Sequence, residues 1–244
     1  MSNWNFIYKL LYLFIHYCYS VFEILWNYVK ITIDFCHAIY RFQYQSTVLC
    51  NNVKSINKLP KHITILLGRE EPSYRDLANI VLWCISANIP FISFYDCKGH
   101  LKKHQSELEY EVSKRIKEED HVIWHNDPKT IHKNGFSGRK IHIKILSEQD
   151  GKESVVNLCK KIALDEVKTD FSIRSINEGL LKEFEFPDPD LGLYCGNNFN
   201  LHNYPQWQIR VTEFLNVKSH HNITLDMFIQ MLLRYNRCEQ RLGK

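Results

Sequence analysis

The stretch from Lys61 to Leu101 constrains the fold more than any other part of the chain, because it follows the pattern strand, turn, helix, turn, strand. His62–Leu67 is a short run of β-branched residues and leucine, typical of a strand that is buried on both faces. Ser73 is the predicted N-cap of the helix. Phe91–Tyr95 is a second apolar run. Two strands joined by a helix run parallel, with a right-handed crossover.

Parallel strands of this kind place their chemistry at their carboxyl ends, where loops from neighbouring strands meet. In this sequence those ends are Gly68–Glu71 and Asp96–His100. The first loop has two carboxylates but no run of glycines that would cradle a phosphate group. A functional site is therefore predicted at these two loops.

The rest of the chain continues the alternation of strands and helices. Further strands are predicted at His121–His125, Ile141–Leu146, Leu191–Tyr194 and around Val211–Leu215. Further helices are predicted at Lys103–Glu119, after Gly151, at Ile173–Leu181 and after the capping residue Thr224. The alternation predicts an α/β fold, with an open, mainly parallel six-stranded sheet flanked by helices.

Charge and cysteine content exclude two classes of protein. The net charge of +4 is small, and no basic patch is interleaved with aromatic residues, so we expect no nucleic-acid partner. The eight cysteines form no CxxC pair, and a disulfide framework is unusual in a chain of 244 residues. Reduced thiols in the cytosol are the expected state.

The N-terminal segment differs in composition from everything that follows. Between Trp4 and Val29, 20 of 26 residues are apolar or aromatic, without Gly or Pro, and a membrane span needs roughly 20 residues. Polar residues interrupt the segment every seven positions, at Lys9, His16 and Glu23. Two interpretations stay open: a tilted membrane helix, or an amphipathic helix lying in the membrane interface. A soluble packing helix is the third alternative.

Basic residues after this segment predict its orientation. Lys30, Arg41, Lys54, Lys58 and Lys61 follow it, whereas Lys9 alone precedes its centre. The positive-inside bias then predicts a globular part that faces the cytosol. The predicted organisation is a membrane-anchoring helical segment at 1–45, a linker at 46–60 and a folded domain at 61–244.

No convincing catalytic set emerges from the residues alone. Asp96, His100 and His104 share helical spacing, but zinc requires further ligands and Gly99 interrupts the helix, so no metal site is predicted. The sequence contains no GxSxG, P-loop or GxGxxG motif. The glycosylation sequon at Asn222 is better explained by helix capping through Thr224.

Several motifs resemble the cis-prenyltransferase family. The resemblance covers about residues 60–244. Its motifs are His62–Leu67, Ile92–Tyr95, Ile141–Ala163, Pro187–Leu191, Trp207–Gln208 and Thr212–Phe214. A distinct branch, the accessory subunits of dehydrodolichyl diphosphate synthase, is more similar still. The motifs shared with that branch are Glu70–Ser73, Leu82–Cys84, Tyr95–Asp96, Trp207–Glu213 and the terminal heptapeptide Cys238–Lys244.

Two departures from the catalytic pattern bear on activity. The family's enzymes carry an aspartate at the end of the first strand that helps to hold magnesium, whereas this chain has Gly68. The enzymes also carry an Arg-x-Ser-Gly-Glu run, whereas Leu193–Asn197 contains no arginine. Glu213 matches a family glutamate without its aspartate partner. The resemblance therefore implies no catalytic residue in this chain alone, and Mg²⁺ held by a catalytic partner.

The resemblance implies a non-catalytic subunit of a heteromeric cis-prenyltransferase that makes long-chain polyprenyl diphosphate for dolichol and protein glycosylation. It implies an endoplasmic reticulum membrane location and pairing with a catalytic subunit, as a heterodimer or a dimer of heterodimers. The alternatives are a membrane receptor or scaffold that keeps a degenerate prenyltransferase fold, and a self-sufficient prenyltransferase.

Two sets of residues are expected to act in that complex. In the accessory subunits that this chain resembles, an Arg-x-Gly tail crosses the dimer interface, which assigns Arg241, Leu242 and Gly243 to the isopentenyl diphosphate end of the partner's active site. The family also dimerises through late elements of the fold. The predicted partner surface is formed by Trp207, Ile209, Arg210 and Phe214.

Overall fold

The computed structural model describes residues 2–53, 56–125, 138–164, 172–184 and 186–239. Internal contacts divide the chain into two compact units, Met1–Val48 and Leu49–Lys244. The predicted loop at 126–137 and the tail at 240–244, which contains Arg241, Leu242 and Gly243, lie outside the described residues.

The chain begins with one long helix, α1, at Ser2–Val53. Every side chain from residue 7 to residue 30 is exposed, including aromatic residues such as Tyr17 and Trp26. Residues 46–53 of the predicted linker are helical, because no Gly or Pro occurs before Pro60 to end the helix. Across the described residues, no helix has the length and sustained apolar character that a membrane crossing requires.

The second unit is built on an open sheet of six strands in the order β3-β4-β2-β1-β5-β6, and every neighbouring pair is parallel. This confirms the predicted sheet. The strands are β1 His62–Leu66, β2 Phe91–Tyr95, β3 Asp120–Trp124, β4 Arg139–Leu146, β5 Leu191–Cys195 and β6 Glu213–Val217. All five residues of the central strand β1 are buried, as its apolar run predicts.

Helices connect the strands. They are α2 Tyr74–Ser86, α3 His100–Lys103, α4 Gln105–Ser113, α5 Lys152–Leu164, α6 Ile173–Phe184 and α7 Leu225–Arg237. Thr224 caps α7 as predicted, because its side chain accepts from the N–H of Met227. Ser73 occupies the N-cap position of α2, but its hydroxyl donates to Asp76 instead of accepting from the helix.

Several elements have bounds that differ from the prediction. The helix expected at Lys103–Glu119 is shorter: His104 leaves helical geometry between α3 and α4, and α4 ends at Ser113. The sixth strand begins at Glu213, two residues later than predicted, where its pairing with β5 begins.

Because all the strands are parallel, their carboxyl ends meet on one side of the unit and their amino ends on the other. The loops after β1, β2, β4, β5 and β6 form the carboxyl end of the sheet. The segments before β1, β5 and β6 form the amino end.

Candidate functional site

The carboxyl end of β1 leads into a closely packed turn at Gly68. Its φ of +64° lies in the left-handed region, and a Cβ added there would lie 3.2 Å from the carbonyl oxygen of Cys195. The thiol of Cys97 donates to the carbonyl of Gly68 across 3.0 Å. The position where the resemblance implied a metal-binding aspartate is therefore occupied by a glycine in a backbone conformation that disfavours a side chain.

Glu70 follows in the same loop and is bound by the loop after β6. Its Oε2 accepts from the hydroxyl of Ser219 at 2.9 Å and from Nδ1 of His220 at 2.7 Å. The backbone N–H of His220 donates to the same oxygen at 3.3 Å. Glu70 therefore joins two loops that are 150 residues apart in the sequence.

The hydrogen bonds of His220 define its protonation. The backbone N–H of Ser73 donates to its Nε2 at 3.0 Å, so that nitrogen carries no hydrogen and Nδ1 is the donor to Glu70. Burial of the ring lowers its pKa, the neighbouring His221 lowers it further, and the attraction of Glu70 does not compensate. We therefore treat the contact with Glu70 as a hydrogen bond from a neutral ring.

Glu70, His220 and His221 offer atoms within 4.8 Å of one another that could in principle bind a metal ion. Both ring nitrogens of His220 already have protein partners, at Ser73 and Glu70, so this ring has no free lone pair for a metal. The cluster is better described as a polar contact between loops.

The loop after β2 uses its acidic group in the same way. Asp96 is 1% exposed, and its two carboxylate oxygens accept from the N–H groups of Lys98 at 2.9 Å and Leu101 at 3.0 Å. These bonds hold the turn that leads into α3. The grouping of Asp96, His100 and His104 suggested by their spacing is not formed, since His100 pairs with Glu71 and His104 with Glu107.

Glu71 is the exposed member of this region. It pairs with Lys98 at 2.7 Å and with His100 at 2.9 Å. Hydrogen bonding from Lys98, with a smaller contribution from His100, lowers the pKa of the Glu71 carboxyl. Glu70, Glu71 and Asp96 are thus all engaged by groups of the chain itself.

The end of β5 is also occupied by internal contacts. The side chain of Asn216 donates to the carbonyl of Gly196 at 2.6 Å, and the N–H of Gly196 donates to the backbone carbonyl of Lys218 at 3.0 Å. Glu213, which matches a family glutamate, is the first residue of β6 and therefore lies at the amino end of the sheet. The chain does not bring Glu213 together with the loops described above.

The four predicted partner-surface residues fall into two classes. Arg210 is exposed, with 60% of its side chain accessible, and forms an ion pair with Asp188 at 3.5 Å. Trp207, Ile209 and Phe214 are partly buried. Ile209 and Phe214 pack against the core cluster that contains Tyr95 and Phe186.

Trp207 connects this surface to the neighbouring helices. Its indole N–H donates to Asn177 of α6 at 3.1 Å, and its ring lines a recess of about 300 Å³ together with Val155 and Val156 of α5. Val156 is 49% exposed. The assignment of these residues to a partner interface stays a prediction.

Sequence reasoning missed Ser219 and His220, the residues that engage Glu70. Ser and His in a loop give no periodic signal, and a contact across 150 residues arises only once the sheet has formed. The short spacing Ser219–His220–His221 was visible in the sequence, but nothing in it indicated the partner.

Known proteins are similar to this chain over most of its length. It is 35% identical over 208 residues to the dehydrodolichyl diphosphate synthase complex subunit Nus1 of Mus musculus, covering 79% of this chain and 69% of that protein. It is 32% identical over 206 residues to the subunit NUS1 of Homo sapiens, covering 78% and 69%. No family model matches the chain.

Solved structures share the fold. Lavandulyl diphosphate synthase from Lavandula x intermedia, in complex with dimethylallyl diphosphate, matches with a TM-score of 0.53 at 14% identity, covering 75% of this chain and 97% of that chain. At this level of identity the similarity concerns the fold alone. The sheet and its helices match the fold of the cis-prenyltransferases, as predicted.

Proposed function

The chain belongs to the family of the dehydrodolichyl diphosphate synthase complex subunits NUS1, and on that premise we propose that it is the non-catalytic subunit of a heteromeric cis-prenyltransferase. The complex extends a prenyl diphosphate with isopentenyl diphosphate toward dolichol for protein glycosylation. This chain stabilises the catalytic subunit and completes its active site with the C-terminal tail.

The observation that carries the non-catalytic role is the state of the carboxyl end of the sheet. Gly68 offers no ligand, and a side chain there would approach Cys195 closely. Both oxygens of Asp96 accept backbone N–H groups, and one oxygen of Glu70 accepts three donors. Magnesium requires carboxylate and phosphate oxygens in near-octahedral geometry. These residues do not fit that requirement, so we assign Mg²⁺ to the catalytic partner.

The tail would supply what a diphosphate site needs. Arg241 brings a guanidinium group, and the amides of Leu242 and Gly243 would donate to phosphate oxygens, where Gly243 allows close approach of the backbone. Such donors stabilise charge most in a partly dry site. The tail therefore acts on the partner's substrate, isopentenyl diphosphate.

We place the partner surface at Trp207, Ile209, Arg210 and Phe214. Arginine is enriched at interfaces, and Arg210 is the most exposed of the four. Arg210→Ala should weaken copurification of the two subunits without altering the circular dichroism spectrum. Unchanged copurification would remove Arg210 from the interface.

We further propose that residues 1–45 attach the chain to the endoplasmic reticulum membrane, with the second unit in the cytosol. The support is the exposure of large apolar side chains from residue 7 to residue 30 of α1, which a lipid environment would cover. Both a tilted span and an interfacial helix satisfy that requirement. Deleting 1–45 should release the chain from membranes and leave pairing with the catalytic subunit intact; a truncated chain that is insoluble or unpaired would contradict this assignment.

The subunit role is tested by reconstitution. Incorporation of isopentenyl diphosphate is measured for this chain alone, for the catalytic subunit alone and for the pair. We expect no incorporation by this chain alone and strong stimulation in the pair. Activity of this chain alone would indicate a self-sufficient enzyme, and absence of stimulation would favour the receptor or scaffold alternative.

A further inference from the structure

The polar side chains of α1 lie on one side of the helix. From residue 7 to residue 30, where every side chain is exposed, the polar residues are Lys9, His16, Ser20, Glu23, Asn27 and Lys30. An α-helix turns by about 100° per residue, so all of them fall within a band about 80° wide that runs along the helix. This band is the polar stripe. Outside it, every residue from 7 to 30 is aliphatic, aromatic or cysteine.

The opposite side of α1 is apolar along its whole described length. The residues within about 40° of the line directly opposite the polar stripe are Ile7, Leu11, Phe14, Cys18, Val21, Leu25 and Val29. This set is the apolar face. Phe14 is 63% exposed and Leu25 is 57% exposed. A contiguous apolar surface of this extent marks a site of contact with a membrane or with another protein.

Tyrosine and tryptophan residues lie between the polar stripe and the apolar face. One border of the stripe carries Tyr8, Tyr12, Tyr19 and Trp26, and the other side carries Tyr17 and Tyr28 beyond Leu13 and Ile24. The Tyr12 ring contacts the His16 ring of the stripe, with centroids 5.3 Å apart. Both residue types prefer the membrane–water interface, because each combines an apolar ring with one polar group. The side chains around α1 therefore change from polar through amphipathic to apolar, as a membrane surface does with depth.

A helix that crosses the bilayer does not suit this distribution. At 1.5 Å per residue, the axial distance from Lys9 to Lys30 is about 31 Å, close to the thickness of the hydrocarbon core of a bilayer. A span would therefore place His16 and Glu23 inside the hydrocarbon, where ionisable groups are costly. The aromatic residues of a span also gather at its two ends, whereas Tyr19 lies at the middle of this segment.

We propose that residues 7–30 lie parallel to the membrane surface, with the polar stripe toward water and the apolar face toward the acyl chains. The inference rests on the proposed attachment of residues 1–45 to a membrane, and it names the mode of that attachment. In this orientation every polar side chain of the stripe reaches water, while the apolar face enters the bilayer by about 5–10 Å. The stripe contains two lysines and one glutamate, so apolar contact supplies the binding and a zwitterionic lipid surface is sufficient.

The test compares positions that share a depth in a span but face opposite ways in an interfacial helix. Cys18, an exposed free cysteine, lies on the apolar face and Ser20 in the polar stripe, about 160° apart around the helix and about 3 Å apart along it. Leu25 and Asn27 form a second pair with the same geometry. The thiols compared are the native one at Cys18 and those introduced by Ser20→Cys, Leu25→Cys and Asn27→Cys, each in a chain that also carries Cys18→Ser.

The full chain is reconstituted in phosphatidylcholine vesicles. A charged maleimide that does not cross bilayers is admitted to both sides by freezing and thawing, so that the leaflet to which the chain binds does not matter. Labelling of the peptide that contains residues 7–30 is followed by mass spectrometry, which separates it from the other cysteines.

We expect the thiols introduced at positions 20 and 27 to react roughly tenfold faster than Cys18 and the thiol introduced at position 25, because labelling requires access to water. After extraction of the lipid and unfolding in guanidinium chloride, all four should react at similar rates, which controls for intrinsic reactivity. Equal protection of all four thiols in the vesicles would indicate a helix that crosses the bilayer. That result would overturn the inference.

Flotation of the vesicles separates this inference from the proposed attachment. If the chain floats with the vesicles and all four thiols are protected, the parallel orientation is wrong and the attachment stands. If the chain does not float and all four thiols react rapidly, the proposed attachment is itself wrong. Efficient disulfide crosslinking between the Cys18 residues of two chains at a high ratio of lipid to protein would mean that a second copy covers the apolar face, which would also overturn the inference.

Discussion

The two ends of the sheet each contain a fully buried histidine, but the two rings have different partners. At the carboxyl end, His220 donates to the carboxylate of Glu70 and accepts from a backbone N–H. At the amino end, Nδ1 of His62 contacts the carbonyl of Pro187 at 2.7 Å, and its Nε2 lies 2.9 Å from the Ser93 hydroxyl. Because a carbonyl only accepts, Nδ1 of His62 carries the hydrogen and Nε2 accepts from Ser93.

The different partners of the two rings affect the pKa of each histidine. The carboxylate of Glu70 partly offsets the cost of charging His220, whereas His62 has no acidic partner in these contacts. Burial therefore lowers the pKa of His62 to about 4. Both ends use their polar groups to hold loops and strands together. At the carboxyl end, Glu70, Glu71 and Asp96 all have partners from the chain itself, which agrees with chemistry carried out by another subunit.

The largest expected effect is the acid sensitivity caused by His62. Its unfolded pKa is about 6.5 and its folded pKa about 4, so the unfolded state binds a proton that the folded state excludes. The contribution is fully present above about pH 6.5. It is lost progressively as the pH falls toward 4, by about 3 kcal/mol in the free energy of unfolding. Urea unfolding at a series of pH values measures this loss.

The matched comparison is between His62→Gln and His220→Gln. The slope of stability against pH should become flatter in both, and more so for His62→Gln, since the pKa of His220 is lowered against the attraction of Glu70. If His62→Gln does not fold, an NMR titration of the native His62 ring replaces it. A midpoint near 6.5 for that ring would show that the contrast between the two ends is wrong.

The next effect compares two adjacent carboxylates. Glu70→Ala leaves the buried Nδ1–H of His220 without its acceptor and should lower the free energy of unfolding by about 2 kcal/mol. Glu71→Ala removes exposed ion pairs to Lys98 and His100 and should leave the unfolding midpoint unchanged within error. Equal losses in the two variants would mean that the contact between Glu70 and His220 does not hold the loops together.

The smallest effect concerns two glycines with the same backbone strain. Gly68 and Gly99 have φ values of +64° and +70°, but an added Cβ meets the Cys195 carbonyl oxygen at 3.2 Å from Gly68 and only a side-chain carbon at 3.9 Å from Gly99. Gly68→Ala should therefore destabilise the fold by roughly 1 kcal/mol more than Gly99→Ala. Thermal unfolding of the two variants measures the difference. Identical midpoints would show that the turn at Gly68 can accommodate a side chain.

The sheet could be predicted from the sequence because its strands are apolar runs with local boundaries. β1 and β2 are examples, since turn residues and the helix α2 separate them. The start of the sixth strand was predicted two residues too early because Val211 continues the apolar pattern of the strand. In the structure Val211 is 44% exposed, and the strand begins only where pairing with β5 begins. Hydrogen-bond register is a tertiary property.

The contacts of the candidate site could not be predicted in the same way. Glu70 and His220 are separated by 150 residues. Both are ordinary polar residues in loops, which carry no periodic signal. The absence of an aspartate at Gly68 was visible in the sequence, but the reason that a side chain is disfavoured there, the nearby carbonyl of Cys195, was not.

The most direct test of the account is turnover of the reconstituted complex with Arg241→His or Gly243→Ala in this chain. Isopentenyl diphosphate incorporation is measured per assembled complex, and subunit pairing is checked by copurification. We expect a loss of about a hundredfold for Arg241→His, the effect of removing one fixed donor from a site of developing charge, and a strong loss for Gly243→Ala, with pairing intact in both. Gly243→Ala acts by steric hindrance or a changed backbone angle, since its charge is unaltered. Normal turnover in both variants would contradict the account.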